Sequence, residues 1–167
     1  DLGDVSAHER LVAEAEEAVG PLAALAHLAA VLRRRHEIGE IDEEDWDAQA
    51  DVNLKATFFL NRAFAERLRA AGRGGAIVNF SSQGWWTGGF GGSIVYNATK
   101  GGIVTMTRGL ARTYASAGIR VNAVAPGRVD TAMLSDDLDP KLLQGLVDQV
   151  PLQRLASPQE VAPAVVF

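Results

Sequence analysis

Tyr96 and Lys100 stand four residues apart, and on a helix that spacing puts both side chains on one face. A phenol ordinarily titrates near 10, and a cation a few ångströms away favours the phenolate, lowering that value by about 1 to 3 units. Beside such a cation Tyr96 can work as an acid or base near neutrality. Amphipathic helices carry Tyr-x-x-x-Lys pairs by chance, so the pair alone is a weak signal. Ser82 strengthens it: it ends an apolar run just upstream, where hydroxyl, phenol and ammonium can converge on one substrate oxygen. Asn53 is a fourth candidate, because asparagine suits a helix interior poorly: its amide competes for backbone groups. It is either a tolerated, exposed residue or a side chain, or kinked backbone, that holds a water.

The elements that must position these residues follow from periodicity. Ser6 and Glu9 form a capping-box pattern ahead of Leu11, Val12, Ala15, Ala18 and Val19, a helical stripe that Gly20 ends. The nearly continuous apolar run 21–31 reads as a strand buried on both faces of a parallel sheet, with helix as the competing reading because of its alanines. Acids from Asp42 to Asp47 crowd the start of a long helix that reaches Ala71 and closes at Gly72, as the helix dipole favours. A second strand spans 75–80, a helix 95–117 stops at Gly118, and a third strand over 119–127 is broken by Pro126 and Gly127. The leucines of 131–150 suit a loosely attached helical flap, and Ser157, Pro158 and Glu160 cap a last helix. This alternation predicts one α/β domain over 1–167 with a parallel sheet and right-handed crossovers. Ligands of such sheets bind outside the carboxyl ends of the strands. That rule selects the segment after Ala26, the pair Ser81 and Ser82, and the turn at Pro126, all on one rim.

Composition narrows the partners. The net charge of −5, with Arg33, Arg34 and Arg35 as the longest basic run, argues against a nucleic-acid or anionic-membrane surface, which calls for a basic patch. Cysteine is absent and His8, His27 and His36 lack ligand-like spacing, so no metal is expected. No stretch is apolar enough to cross a bilayer and no basic-then-apolar leader opens the sequence, which makes the cytoplasm the expected location. The opening on Asp1 and the close at Phe167 inside the apolar run "VAPAVVF" suggest a fragment.

The ordered segments "DVNLKATFFL", "AIVNFSSQG", "YNATKGGIVTMTRGLARTYASAGIRVNAVAPGRVDT" and "PLQRLASPQEVA" resemble the short-chain dehydrogenase/reductase family, over nearly all of the chain. The resemblance implies a Rossmann-like, doubly wound parallel sheet in a three-layer αβα sandwich. It also implies an NAD- or NADP-dependent oxidoreductase that interconverts an alcohol and a carbonyl. Its tetrad falls on Asn53, Ser82, Tyr96 and Lys100. In that pattern Tyr96 gives or takes the proton and Ser82 holds the substrate oxygen. Lys100 binds the nicotinamide ribose and lowers the phenol pKa, while Asn53 carries a water into a proton relay. Pro126, Gly127, Val129 and Thr131 match the segment that lies against the nicotinamide, and Asp1 the place of an acid that touches adenine. The resemblance also points to homodimers or homotetramers through helices 43–71 and 95–117, whose apolar residues occupy more than one stripe.

Departures from the family pattern matter. Where the family reads Asn-Asn-Ala-Gly, this chain reads His27, Leu28, Ala29, Ala30. His27 then replaces an amide as a hydrogen-bonding group in the sheet or stands as a satisfied core histidine, Ala29 keeps its place in the cofactor wall, and Ala30 adds a methyl group close to the cofactor. No Gly-rich turn between a strand and a helix cradles a pyrophosphate, so the expected domain is incomplete, lacking its first βα units and last strand. The 167-residue chain by itself is then expected to bind cofactor poorly and to be inactive. A non-catalytic nucleotide sensor or protein-interaction module on the same fold is the alternative. Arg33 to Arg35 either border the pocket, favouring an anionic substrate, or form a solvated charge run. Trp85, Trp86 and Phe90 either cover the substrate or simply pack.

Overall fold

The computed structural model describes residues 1–90, 92–135 and 138–166. Expectations that fall on Gly91, Asp136, Asp137 and Phe167, within the loop, the flap and the last apolar run, lie outside the described residues. The chain divides into two compact units, one from Asp1 to Val124 and one from Ala125 onward.

In the first unit helix α1 (His8–Val19) leads to strand β1 (Ala24–His27). Helix α2 (Glu43–Gln49), a π-helical segment (Ala50–Lys55) and helix α3 (Ala56–Ala70) then run on without a break. Strand β2 (Gly75–Phe80), the short helix α4 (Gly84–Thr87), helix α5 (Ile94–Tyr114) and strand β3 (Ile119–Val124) complete it. The strands are parallel in the order β1-β2-β3, with Ile77 beside Leu25 and Val121. Neighbouring strands taken in sequence order, joined by right-handed crossovers, place their connecting helices on one face of the sheet. One core cluster accordingly joins Val12 of α1, Leu60, Phe64 and Leu68 of α3 and Leu110 of α5 to Ile77, Ile119 and Val121 of the strands.

Several expectations shift. The strand expected over 21–31 shrinks to Ala24–His27, and it is buried on one face only: Ala24 and Ala26 are exposed, and Leu28 just beyond it is 57% exposed. Beyond His27 the chain leaves the sheet because side chains of the following helix capture its backbone, as described below. The expected Ser6–Glu9 box does not form: Asp4 caps a 3-10 turn (Val5–Ala7) that leads into α1, and α1 itself has no side-chain cap. The Asp4 carboxylate accepts from the Ser6 amide (3.0 Å) and hydroxyl (2.6 Å), so the serine side chain is already committed. The stops at Gly20, Gly72 and Gly118 hold, each with positive φ, and β2 has the expected bounds.

The second unit carries α6 (Ala132–Ser135), α7 (Pro140–Asp148), α8 (Pro158–Val161) and α9 (Pro163–Val166). Ser157 and Glu160 form the expected capping box. Among the described residues no helix is long and apolar enough to cross a membrane.

Candidate active site

The carboxyl end of β2 is tied into α5 by backbone groups. Ser81, buried, donates its amide N–H to the Val124 carbonyl of β3 (2.8 Å), and its Oγ donates to the Lys100 carbonyl (2.8 Å). The Lys100 ammonium returns to the same strand end, donating to the Phe80 carbonyl (2.8 Å), and lies 5.3 Å from the centre of the Tyr96 ring. Ser81 is therefore structural, and Ser82, the next residue, is left half-buried at the rim with its Oγ accepting from the Gly84 amide (3.2 Å).

Asn53 is wholly buried within the π-helical segment, which disposes of the exposed reading. Its Oδ1 accepts from the Val31 amide (2.8 Å), while Nδ2 donates to the Val31 carbonyl (2.9 Å) and to Thr99 Oγ1 (3.2 Å). Thr99 Oγ1 in turn donates to the Tyr96 carbonyl (2.7 Å). The amide thus holds the chain leaving β1 and the first turn of α5 together, rather than standing free for a water. Gln49, one turn earlier, accepts from the Arg33 amide (3.2 Å). Arg35 grips the buried Asp45 carboxylate with two bonds (2.6 and 2.8 Å), and Arg33 pairs with Glu44 (3.0 Å). The expectation of a solvated charge run fails for Arg33 and Arg35, because one buried acid on α2 draws both toward it.

Burial sets the charge states. It pushes the Tyr96 phenol up, with the Arg34 cation pulling more weakly the other way. This reverses the expected lowering by Lys100, whose ammonium is hydrogen-bonded to Phe80 instead of to the phenol oxygen. Burial also lowers Lys100 to about 8. His27 is 5% exposed and sits beside Asn79 in the sheet, yet neither ring nitrogen has a partner among the described residues. It is buried in the core, as one of the two sequence readings had it, without a hydrogen bond of ordinary geometry on either nitrogen. Burial first, then the Lys100 charge, lowers its pKa to about 4.

Of the other cofactor candidates, Ala29 is exposed and Asp1 turns its carboxylate onto the Gly3 amide (2.8 Å). Pro126, Gly127, Val129 and Thr131 belong to the second unit. There Val129 forms a parallel bridge with Ala156, and the Thr131 carbonyl accepts from Leu134 (2.9 Å) and Ser135 (3.1 Å) at the start of α6. Among the described residues no group of three or more acids and histidines could hold a metal ion. Sequence reasoning missed Asp45, Gln49 and Thr99. The four-residue spacing of Asp45 and Gln49, which places both on one helix face, was the available signal, hidden in a run of acids that the helix dipole alone explained.

Residues 1–167 match the family model described as Enoyl-(Acyl carrier protein) reductase. The whole chain is 35% identical, over 167 residues, to the (2S)-[(R)-hydroxy(phenyl)methyl]succinyl-CoA dehydrogenase subunit BbsD of Thauera aromatica. It is 37% identical, over 176 residues, to galactitol 2-dehydrogenase (L-tagatose-forming) of Cereibacter sphaeroides. The chain spans 65% of the length of each of these relatives. All of it also superposes on 67% of the structure of ElxO with NADP bound, with a TM-score of 0.88 and 27% identity.

Proposed function

We propose, on the premise that the chain belongs to the short-chain dehydrogenase/reductase family, that it carries the catalytic rim of an NAD- or NADP-dependent oxidoreductase acting on a small alcohol or its ketone. Sugar-type and 3-oxoacyl carbonyls are included in that substrate class. The observation that carries the reading is the buried Lys100, anchored at the end of β2 with its ammonium 5.3 Å from the Tyr96 ring. A purely structural lysine is rarely buried without a carboxylate partner.

The residues present fit the nicotinamide end of the cofactor. An ammonium has three protons; Lys100 gives one to Phe80, leaving two for ribose hydroxyls. The unpartnered His27 nitrogens offer a further polar contact at the same end of the sheet. No Gly-rich turn in this chain serves the pyrophosphate, so the 167-residue chain by itself is expected to bind NADH weakly. When bound, the cofactor supplies or accepts the hydride. Tyr96, kept neutral by burial, donates its proton to the carbonyl oxygen during reduction and recovers it in oxidation. The Ser82 hydroxyl donates a hydrogen bond to that oxygen. Asn53 fixes Val31 and Thr99 around the site, and its widened helical turn is the feature that offers backbone groups to a relay water. Asp1 stands for the adenine side in this proposal.

The outer faces of α3 and α5 leave an apolar groove of about 680 Å³ lined by Leu54, Phe58, Phe59, Met106 and Leu110. Phe58 is 38% exposed there. A second copy presenting the same face would cover it in a two-fold interface, which favours a homodimer or a homotetramer.

The test is Tyr96→Phe in the full-length protein. General acid–base catalysis is worth about 10²- to 10⁴-fold, so kcat/KM should fall by that factor with cofactor affinity retained. An undiminished rate would remove Tyr96 from the reaction.

A further inference from the structure

We infer that Asn97 is a positioning residue that locks the segment between Ser82 and Tyr96, and so keeps the hydroxyl and the phenol in register; this rests on the oxidoreductase reading above. Asn97 follows Tyr96 on α5 and is 7% exposed. Its Nδ2 donates to the Ser93 carbonyl (2.7 Å) and to Ser93 Oγ (3.0 Å). That hydroxyl donates to the Phe90 carbonyl (2.6 Å) and accepts from the Phe90 amide (3.2 Å). Its one proton and both lone pairs are thereby used.

The same amide lies against both ends of α4. A Cβ on Gly84 would stand 1.6 Å from Asn97 Oδ1, and one on Gly89 would stand 1.9 Å from Nδ2. No side chain fits at either position while Asn97 is in place. Since the Gly84 amide is bonded to Ser82 Oγ (3.2 Å), the contact reaches the catalytic hydroxyl through one residue. The helix so held carries Trp85 and Trp86, packed edge to face with centres 5.5 Å apart. The far end of the loop is fixed independently: Gly92 has a φ of 73°, and a Cβ there would lie 1.7 Å from the Arg35 carbonyl. Arg35 is itself held by Asp45. The stretch 84–90 is therefore seated on one buried amide, and catalysis that needs two groups aligned on one oxygen is sensitive to displacements of about 1 Å.

The experiment compares Asn97→Ala, Asn97→Asp, Gly84→Ala and the double variant Gly84→Ala with Asn97→Ala. Steady-state kinetics are measured in the full-length protein. Acrylamide quenching of Trp85 and Trp86 is measured in a Trp46→Phe background. Asn97→Asp keeps the size but loses the Nδ2 donor, so it should resemble Asn97→Ala: kcat down about tenfold or more, cofactor Kd unchanged, and quenching increased. Gly84→Ala should be impaired, and the double variant should recover at least part of its rate, because the new methyl group enters the volume that Asn97 vacates. Unchanged kcat and quenching in both Asn97 variants, or a double variant that is worse than Gly84→Ala, would overturn the inference. Failure of the underlying reading looks different: Tyr96→Phe would be fully active while the quenching pattern persisted.

Discussion

The stability of the first unit should depend on pH through His27. The imidazole is buried, unpartnered and lowered to about 4, against about 6.5 in an unfolded chain. Above pH 6.5 both states are neutral and the fold has its full stability. Between pH 6.5 and 4 the unfolded chain binds a proton that the folded one does not, so stability falls as the pH falls, and the loss levels off below 4. A difference of about 2.5 units at 1.36 kcal/mol each gives about 3 kcal/mol in total, of which about 2 kcal/mol is lost between pH 7 and pH 5. With a urea slope of about 2 kcal/mol per M, that loss moves the midpoint by about 1 M. Tryptophan fluorescence reports the relevant unit, because Trp46, Trp85 and Trp86 all lie within it. His27→Leu is the control. It removes the titration together with two unsatisfied nitrogens, each worth about 1–3 kcal/mol, so it should be at least as stable at pH 7 and lack this component of the slope. Parallel midpoint-versus-pH curves for the two proteins would refute the reasoning.

Three further outcomes are expected. With Lys100 lowered to about 8 by burial, its cation is lost as the pH rises through 8, so the reduction rate should decline there, and Lys100→Arg should move or abolish that limb in a pH–rate profile. Asn53→Ala removes both bonds to the Val31 backbone and should cost about 2 kcal/mol in urea unfolding at roughly 1 kcal/mol per hydrogen bond; a cost near zero would show that the clamp is not needed. Phe58→Glu, placed in the apolar groove between α3 and α5, should convert an oligomer to monomer in sedimentation, and an unchanged sedimentation coefficient would exclude that face as the interface.

The features legible in the sequence were those written as local periodicity or as a break in it. The bounds of β2, the α5 helix and the stop at Gly118 follow from apolar spacing and a single left-handed residue. Asn53 stood out because asparagine is misplaced in a helix, and the structure answers with a π-helical turn and a fully buried amide. What stayed hidden depends on partners distant in the chain. The acids at 42–47 satisfy a helix dipole whether or not Asp45 also holds Arg35 from ten residues before it. No local pattern says that Asn97 reaches back to Gly84, or that β1 ends early because Val31 is captured from 22 residues away.

The Tyr96 phenol is pushed up because desolvation outweighs the nearby positive charge. Spacing places an ammonium near a phenol, but the cation favours phenolate only so far as its field is not opposed by desolvation. Here the Lys100 proton points to the Phe80 carbonyl, and burial acts on both groups, raising one and lowering the other. Each shift favours the neutral form, so near neutrality Tyr96 is a proton donor ready for reduction. Oxidation demands the phenolate, which a charged Lys100 beside the ring favours. Ribose hydroxyls that accept the two remaining Lys100 protons would hold the ammonium charged beside Tyr96, and that charge favours the base form.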